Sequence, residues 1–245
     1  MVKAALGAGF THIDTAQIYD NEAAVGEAIR ASNISRRDLF LTTKVWVDNY
    51  AEDRFELSVD ESLRKLGTDH VDLLLLHWPN NAVSLERQIA SLNAAQRSGK
   101  ARHIGVSNFT RDLFERSVAL SAAPIVTNQV ELHPFIDQSI VRQAAATAGA
   151  AISAYYPMAD GKVFDDPVLS AIAARNSRSV AQVVLCWTVQ QGMVALTKTA
   201  TESRLAENFA SMDFVLDDAD MAEITALNRR NERLVSPPGL APQWD

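Results

Sequence analysis

A single cysteine among 245 residues rules out an internal disulfide, and Cys186, set in SVAQVVLCW, reads as a small core residue. A reducing, cytoplasmic setting is the expectation. Long apolar runs are missing too. The longest, around Val71–His77, fall far short of the roughly 20 residues that a membrane-crossing helix needs, so no membrane partner is expected. Positive charge is in deficit: 23 Lys and Arg against 30 Asp and Glu leave a net charge of −7, which argues against a nucleic-acid partner. No G-x-G-x-x-G follows a strand-like run, so a Rossmann-type site has no support, and Gly7-Ala8-Gly9 ends a helix instead of opening one. No His/Cys cluster has metal-ligand spacing. Glu131 and His133, in VELHP, would point to the same side of an extended segment, and such a lone pair reads as hydrogen-bonded, with no metal expected. Met1-Val2-Lys3 runs straight into helix-like residues, without the pattern of a signal peptide.

What is present is a steady alternation. Short apolar runs at Phe10–Asp14, Leu39–Lys44, Asp72–His77, Arg102–Ser107, Ile125–Gln129, Ala151–Tyr155 and Met193–Thr197 read as strands. Helix-like stretches lie between them: Asn21–Ser32, Glu52–Leu66, Ser84–Ser98, Arg111–Leu120, Gln138–Ala148, Val168–Arg175 and Ser179–Gln191. Two more finish the chain near Glu202–Ser211 and Asp217–Asn228. Continuously apolar strands alternating with amphipathic helices predict parallel βαβ units in an α/β (β/α)8 barrel. No linker or compositional shift divides the chain, so residues 1–245 read as one domain. Only seven strands are visible where a closed barrel of this type has eight.

Four polar residues carry the functional argument. His77 closes DLLLLH, Lys44 closes LFLTTK, Asp14 follows FTHI, and Tyr19 lies five residues further on. The C-terminal ends of parallel barrel strands meet at one face, where such enzymes place their chemistry. A free phenol titrates near pH 10, too high to exchange a proton readily at neutrality. A neighbouring ammonium favours the phenolate, and a carboxylate beside the ammonium keeps it charged and oriented. Tyr19, Lys44 and Asp14 supply those parts, and His77 would donate a hydrogen bond to a substrate oxygen, the arrangement for general acid–base work on a carbonyl or alcohol. Trp46, Tyr50 and Trp78, just after the Lys and His strands, are candidates for the substrate mouth or for rim packing.

At these residues the sequence resembles the aldo-keto reductase family. GAGFTHIDTAQIYDNEAAVGEAI (7–29) is similar to the family's signature bearing its Asp and catalytic Tyr, LTTKVW (41–46) to the Lys strand, and LLLLHWP (73–79) to the His strand. The similarity continues through IGVSNF (104–109), NQVELHP (128–134), AYYPMADGKV (154–163) and TKTATESRLAENF (197–209). The closing LVSPPGLAPQWD and the short loop between His77 and Ser84 look like bacterial members of the diketogluconate reductase-like group.

The resemblance implies NADPH (or NADP+) as cofactor, hydride transfer to an aldehyde or ketone, and Tyr19 as the proton donor. It implies that Ser107, Asn108 and Gln129 hold the nicotinamide carboxamide and that Tyr155 stacks on the nicotinamide ring. Ser107, Asn108 and Gln129 also lie at the ends of two consecutive strands and offer an amide and hydroxyl fork suited to that group. Lys198, Thr199 and Arg204 match the residues around the adenosine 2′-phosphate, and Glu207 and Asn208 the pair at adenine. Thr197 stands where the family usually has proline, which frees φ ahead of Lys198. The partner implied is a small carbonyl compound (a sugar-derived ketone, a keto acid or an aliphatic aldehyde), and the state implied is a monomer.

The family also has an N-terminal hairpin and a first strand, which do not occur here. Their lack predicts two unpaired sheet edges and a barrel floor open to water. An upstream continuation of the chain is the favoured expectation, a naturally short variant the other. Two further classes stay open at this point: a cofactor-binding regulatory subunit with little turnover, and an inactive fragment of a longer reductase.

Overall fold

In the computed structural model, which describes residues 1–245, each apolar run becomes one strand of a single parallel sheet. The strands are β1 (His12–Asp14), β2 (Phe40–Val45), β3 (Val71–Leu76), β4 (Ala101–Ser107), β5 (Ile125–Glu131), β6 (Ala151–Tyr155) and β7 (Val194–Ala195). Their order in the sheet is their order in the chain, the succession of a (β/α) barrel. The sheet is curled. Gln129 of β5 donates a hydrogen bond to Asp14 of β1 across 2.9 Å, whereas strands four places apart in a flat sheet would lie about 19 Å from each other. β1 and β7 do not pair with one another, so the barrel stands open between them at seven strands.

Helices cover the outer face: α1 (Val2–Gly7), α2 (Glu22–Arg30), α3 (Glu52–Leu66), α4 (Leu85–Arg97), α5 (Arg111–Leu120), α6 (Ser139–Thr147), α7 (Pro167–Arg175) and α8 (Val180–Gln190), with α9 (Ser203–Phe209) and α10 (Asp218–Thr225) after the last strand. Helical spacing decides what each buries. On α3 the stripe Phe55, Val59, Leu63 and Leu66 packs inward while its acidic and basic residues face water. Start signals are local: Ser179 and Gln182 form a reciprocal capping box on α8, and Asp166 caps α7 ahead of Pro167.

The departures from the sequence reading have physical reasons. β7 is two residues long instead of five because only β6 pairs with it, and an edge without a second ladder holds less backbone extended. β1 begins at His12, not Phe10, for the same cause: only β2 pairs with it. β5 runs on to Glu131, whose register partner is Tyr155. The last two helices are shorter than expected, each passing into a 3-10 turn (Ala210–Met212 and Ala226–Arg230).

Inside the curl, strand alternation selects one set of side chains. Thr42 and Lys44, Leu73 and Leu75, Gly105 and Ser107, Thr127 and Gln129 sit at i, i+2 positions on β2 to β5 and share the inner face. Gly105 lies where the β4–β5 register shifts. A Cβ there would come within 2.8 Å of both the Thr127 carbonyl oxygen and a Leu75 methyl, so the interior has no room for one.

Candidate active site

The ammonium of Lys44 is the centre of the site. It lies at the C-terminal end of β2 with its side chain 0% exposed, ion-paired with Asp14 of β1 and donating to the Thr15 carbonyl at 3.0 Å. Gln129 holds the second Asp14 oxygen at 2.9 Å. A charged amine taken wholly out of water requires such a partner, since an unpaired one costs several kcal/mol. Two of its three N–H groups are thus committed, and Nζ stands 5.3 Å from the centre of the Tyr19 ring.

Tyr19 belongs to a 3-10 turn, Gln17–Tyr19, that leaves β1. Its side chain is half in solvent (49%), and its hydroxyl has no hydrogen-bond partner in the protein. Gln17, which the sequence does not mark in any way, anchors the turn. Its carbonyl oxygen accepts from the Trp46 amide and from Asn49, both at 2.9 Å, and its amide nitrogen donates to the Ser58 carbonyl and the Ser62 hydroxyl. Thr15 adds a 2.6 Å bond to Asn21 at the start of α2.

His77 follows β3 and meets the Tyr19 ring edge to face at 5.6 Å. The Trp46 ring also meets it edge to face, at 5.3 Å. Burial, and secondarily the Lys44 ammonium, push His77 down to about 3. It is therefore a neutral imidazole at physiological pH. Its Nδ1 is enclosed without a hydrogen-bond partner, so Nε2 is the nitrogen left to present a proton.

The candidate nicotinamide residues lie next to this group and bond to each other. Asn108, with a left-handed φ of 63° that asparagine tolerates, donates to the His77 carbonyl at 3.0 Å and to the Ser107 hydroxyl at 3.2 Å. Its own oxygen accepts from the Tyr155 hydroxyl at 2.7 Å. Ser107 in turn donates to the Gln129 carbonyl at 2.8 Å. Burial and the Glu131 carboxylate push the Tyr155 phenol upward, so it stays protonated and donating.

Beyond β7, Lys198 and Arg204 are exposed and enter no ion pair, on the segment that leads into α9 and its first turn. Thr199 spends its hydroxyl on a local turn with Thr201. Asn208 is buried and donates to Thr197 Oγ1 at 3.3 Å, a tie that proline at 197 could not make. Glu207 is half-buried, and its carbonyl accepts from Gln182.

Burial separates the three aromatic candidates for mouth or rim. Tyr50 is fully buried and donates to the Trp78 carbonyl at 2.8 Å, so it is rim packing and not mouth lining. Trp78 is itself mostly buried, its ring 6.2 Å from that of Trp244. Of the three, only Trp46 packs directly on His77. Glu131 and His133 are hydrogen-bonded to each other at 2.9 Å. Sequence reading did not single out Arg233 and Trp244, which reach this face from the C-terminal segment and stack at 3.7 Å.

An open (β/α) barrel that gathers a phenol, a buried ammonium–carboxylate pair and a neutral imidazole at the C-terminal ends of its first strands defines a carbonyl-handling enzyme class. The chain belongs to the aldo/keto reductase family, which it matches over residues 1–229. It is 44% identical over 247 residues to the methylglyoxal reductase DkgB of Salmonella typhimurium, an alignment covering all of this chain and 92% of that protein. It is 38% identical to the glyoxal reductase of Bacillus subtilis, covering 93% of this chain and 82% of the other. Among solved structures, a crystal structure provisionally named as 2,5-diketo-D-gluconic acid reductase B superposes with a TM-score of 0.98 at 56% identity, covering all of this chain and 88% of that one.

Proposed function

We propose that the protein reduces aldehydes and ketones to alcohols with NADPH, and that Tyr19 is the general acid. The observation that carries this reading is the buried Lys44–Asp14 pair set beside the Tyr19 and His77 rings. When bound, the nicotinamide supplies the hydride. His77, neutral and with Nε2 free of protein partners, donates a hydrogen bond that orients the carbonyl oxygen. A neutral imidazole is a poor proton source, which supports Tyr19 as the donor. As that proton leaves, Lys44 stabilises the negative charge developing on the phenol oxygen, and Asp14 keeps the ammonium aimed.

The chemistry of the donor set fits a nicotinamide cofactor. Ser107, Asn108 and Gln129 supply hydroxyl and amide groups for a carboxamide, and the Tyr155 ring lies beside them. Lys198 and Arg204, unpaired cations six residues apart, suit the 2′-phosphate that distinguishes NADPH from NADH, with Thr199 between them and Glu207 and Asn208 on the adenine side. Small α-oxoaldehydes are the substrates to try first, since relatives are named for glyoxal and methylglyoxal. Trp46, packed on His77, would line the substrate pocket, with Trp78 behind its rim. The protein would act as a monomer on free small molecules.

The test is Tyr19→Phe. Turnover of methylglyoxal should fall by about 10²-fold or more, the scale of a lost general acid, while NADPH still quenches tryptophan fluorescence with unchanged affinity. Substantial residual turnover would remove Tyr19 from this role.

A further inference from the structure

Glu131 takes no part in the chemistry above, yet its carboxylate is fully buried and fully used. Oε1 accepts from His133 Nε2 at 2.9 Å and from the Leu234 amide at 2.8 Å. Oε2 accepts from the Val235 amide at 2.9 Å, with the Arg233 guanidinium 3.9 Å away. His133 receives the Phe135 amide on Nδ1 at 3.3 Å, which leaves Nε2 as the protonated nitrogen facing the carboxylate. Burial works against the charged form of Glu131, but these hydrogen bonds outweigh it and hold its pKa below the usual glutamate range.

Its position matters as much as its bonding. Glu131 stands two residues beyond Gln129 on β5, so one strand end serves both the Asp14 side of the site and the C-terminal segment. That segment is stitched down by further bonds. Arg230 pairs with Asp166 at 2.5 Å, Glu232 N donates to the Phe135 carbonyl at 2.8 Å, and the Glu232 carboxylate takes Lys162 at 2.7 Å. From this anchorage the chain reaches the loop after β3 and the start of α5. Arg233 stacks on Trp244, Trp244 meets Trp78 beside His77, and the Asp245 carboxylate accepts from the Arg111 amide at 2.8 Å.

We propose that Glu131 is a positioning residue: its carboxylate clasps residues 234 and 235, and so holds residues 231–245 as a strap that sets Trp244 against Trp78 at the rim of the substrate pocket. The activity arm of the proposal rests on the carbonyl-reductase reading; the clasp does not. Glu131→Gln keeps the shape but turns an N–H toward a backbone N–H, which sacrifices at least one buried bond.

Hydrogen exchange of the full chain should show the amides of Leu234 and Val235 exchanging about 10-fold faster in Glu131→Gln, the equivalent of one lost hydrogen bond. KM for a small carbonyl substrate should rise by a similar factor, with kcat and the NADPH dissociation constant changed little. Trp244→Ala, which removes a partly exposed side chain near the terminus, should reproduce the KM increase while leaving both amides slow to exchange. Should Glu131→Gln fail to fold, Trp244→Ala together with Arg233→Ala carries the activity arm. Unchanged exchange at 234 and 235 would overturn the clasp. Faster exchange with an unchanged KM in both Glu131→Gln and Trp244→Ala would overturn the link to the pocket. Failure of the wild-type chain to turn over any carbonyl would defeat the reductase reading instead, and the exchange arm would still decide the clasp.

Discussion

Replacing Asp14 with asparagine tests the electrostatic heart of the site directly. Lys44 is 0% exposed and its only charged partner is Asp14; its other bond goes to the neutral Thr15 carbonyl. In Asp14→Asn the new side chain could still accept one hydrogen bond, but its amide would face either Lys44 or Gln129, and the ammonium would stay buried without a countercharge. Breaking a buried pair in this way costs about 3–5 kcal/mol. With an unfolding entropy of about 2.1 cal/mol/K per residue, a chain of this length has about 0.5 kcal/mol/K in total. The expected fall in Tm is therefore about 6–10 °C. Turnover, measured well below the transition, should drop by about 10²-fold or more, because the ammonium beside the Tyr19 ring is no longer held there. Calorimetry beside a steady-state assay would check both. A Tm within about 2 °C of wild type, with turnover intact, would mean that the ammonium is neither confined nor needed. Tyr19→Phe makes the matched control: its hydroxyl bonds to nothing in the protein and its side chain is half exposed, so that variant should lose turnover with Tm unchanged.

Lys198→Ala combined with Arg204→Ala should weaken NADPH by about 10-fold or more, the scale of lost charge-assisted bonds, while NADH binding stays nearly constant; equal losses in fluorescence titrations would remove the 2′-phosphate assignment. Stability should also depend on pH through His77. Its folded value of about 3 lies below its ordinary 6.5, so between those values the unfolded chain holds a proton that the folded protein does not. Stability then rises with pH across that window and is lost on acidification, by roughly 2 kcal/mol at pH 5. His12, also pushed down by burial, contributes with the same sign. His77→Gln should flatten the dependence of Tm on pH between 7 and 5, and an unchanged slope would show that His77 is not the group responsible.

The strand and helix alternation was legible because period-2 and period-3.6 patterns are local: α3 spans Glu52–Leu66 as its stripe of Phe55, Val59, Leu63 and Leu66 indicates. Asp14, Tyr19, Lys44 and His77 were legible because strand ends are where apolar runs stop. Element ends were less so. The length of β7 depends on a second neighbouring strand, which no window of sequence around Met193–Thr197 contains.

The parallel α/β architecture, the chain order of the strands and the chemical types at each strand end are written in the sequence. These follow from hydrophobic period and from residues within a few positions of one another. Which of those groups meet, and which are spent on packing, depends on the folded chain. Gln17 pins the Tyr19 turn through partners at 46, 49, 58 and 62. Tyr50, a candidate for the mouth, is consumed beneath Trp78. Glu131 finds its partners about a hundred residues away at Leu234 and Val235. The curl of the sheet sets such pairings, because it brings side chains from distant strand ends within bonding range, and burial then makes each unsatisfied polar atom too costly to leave alone.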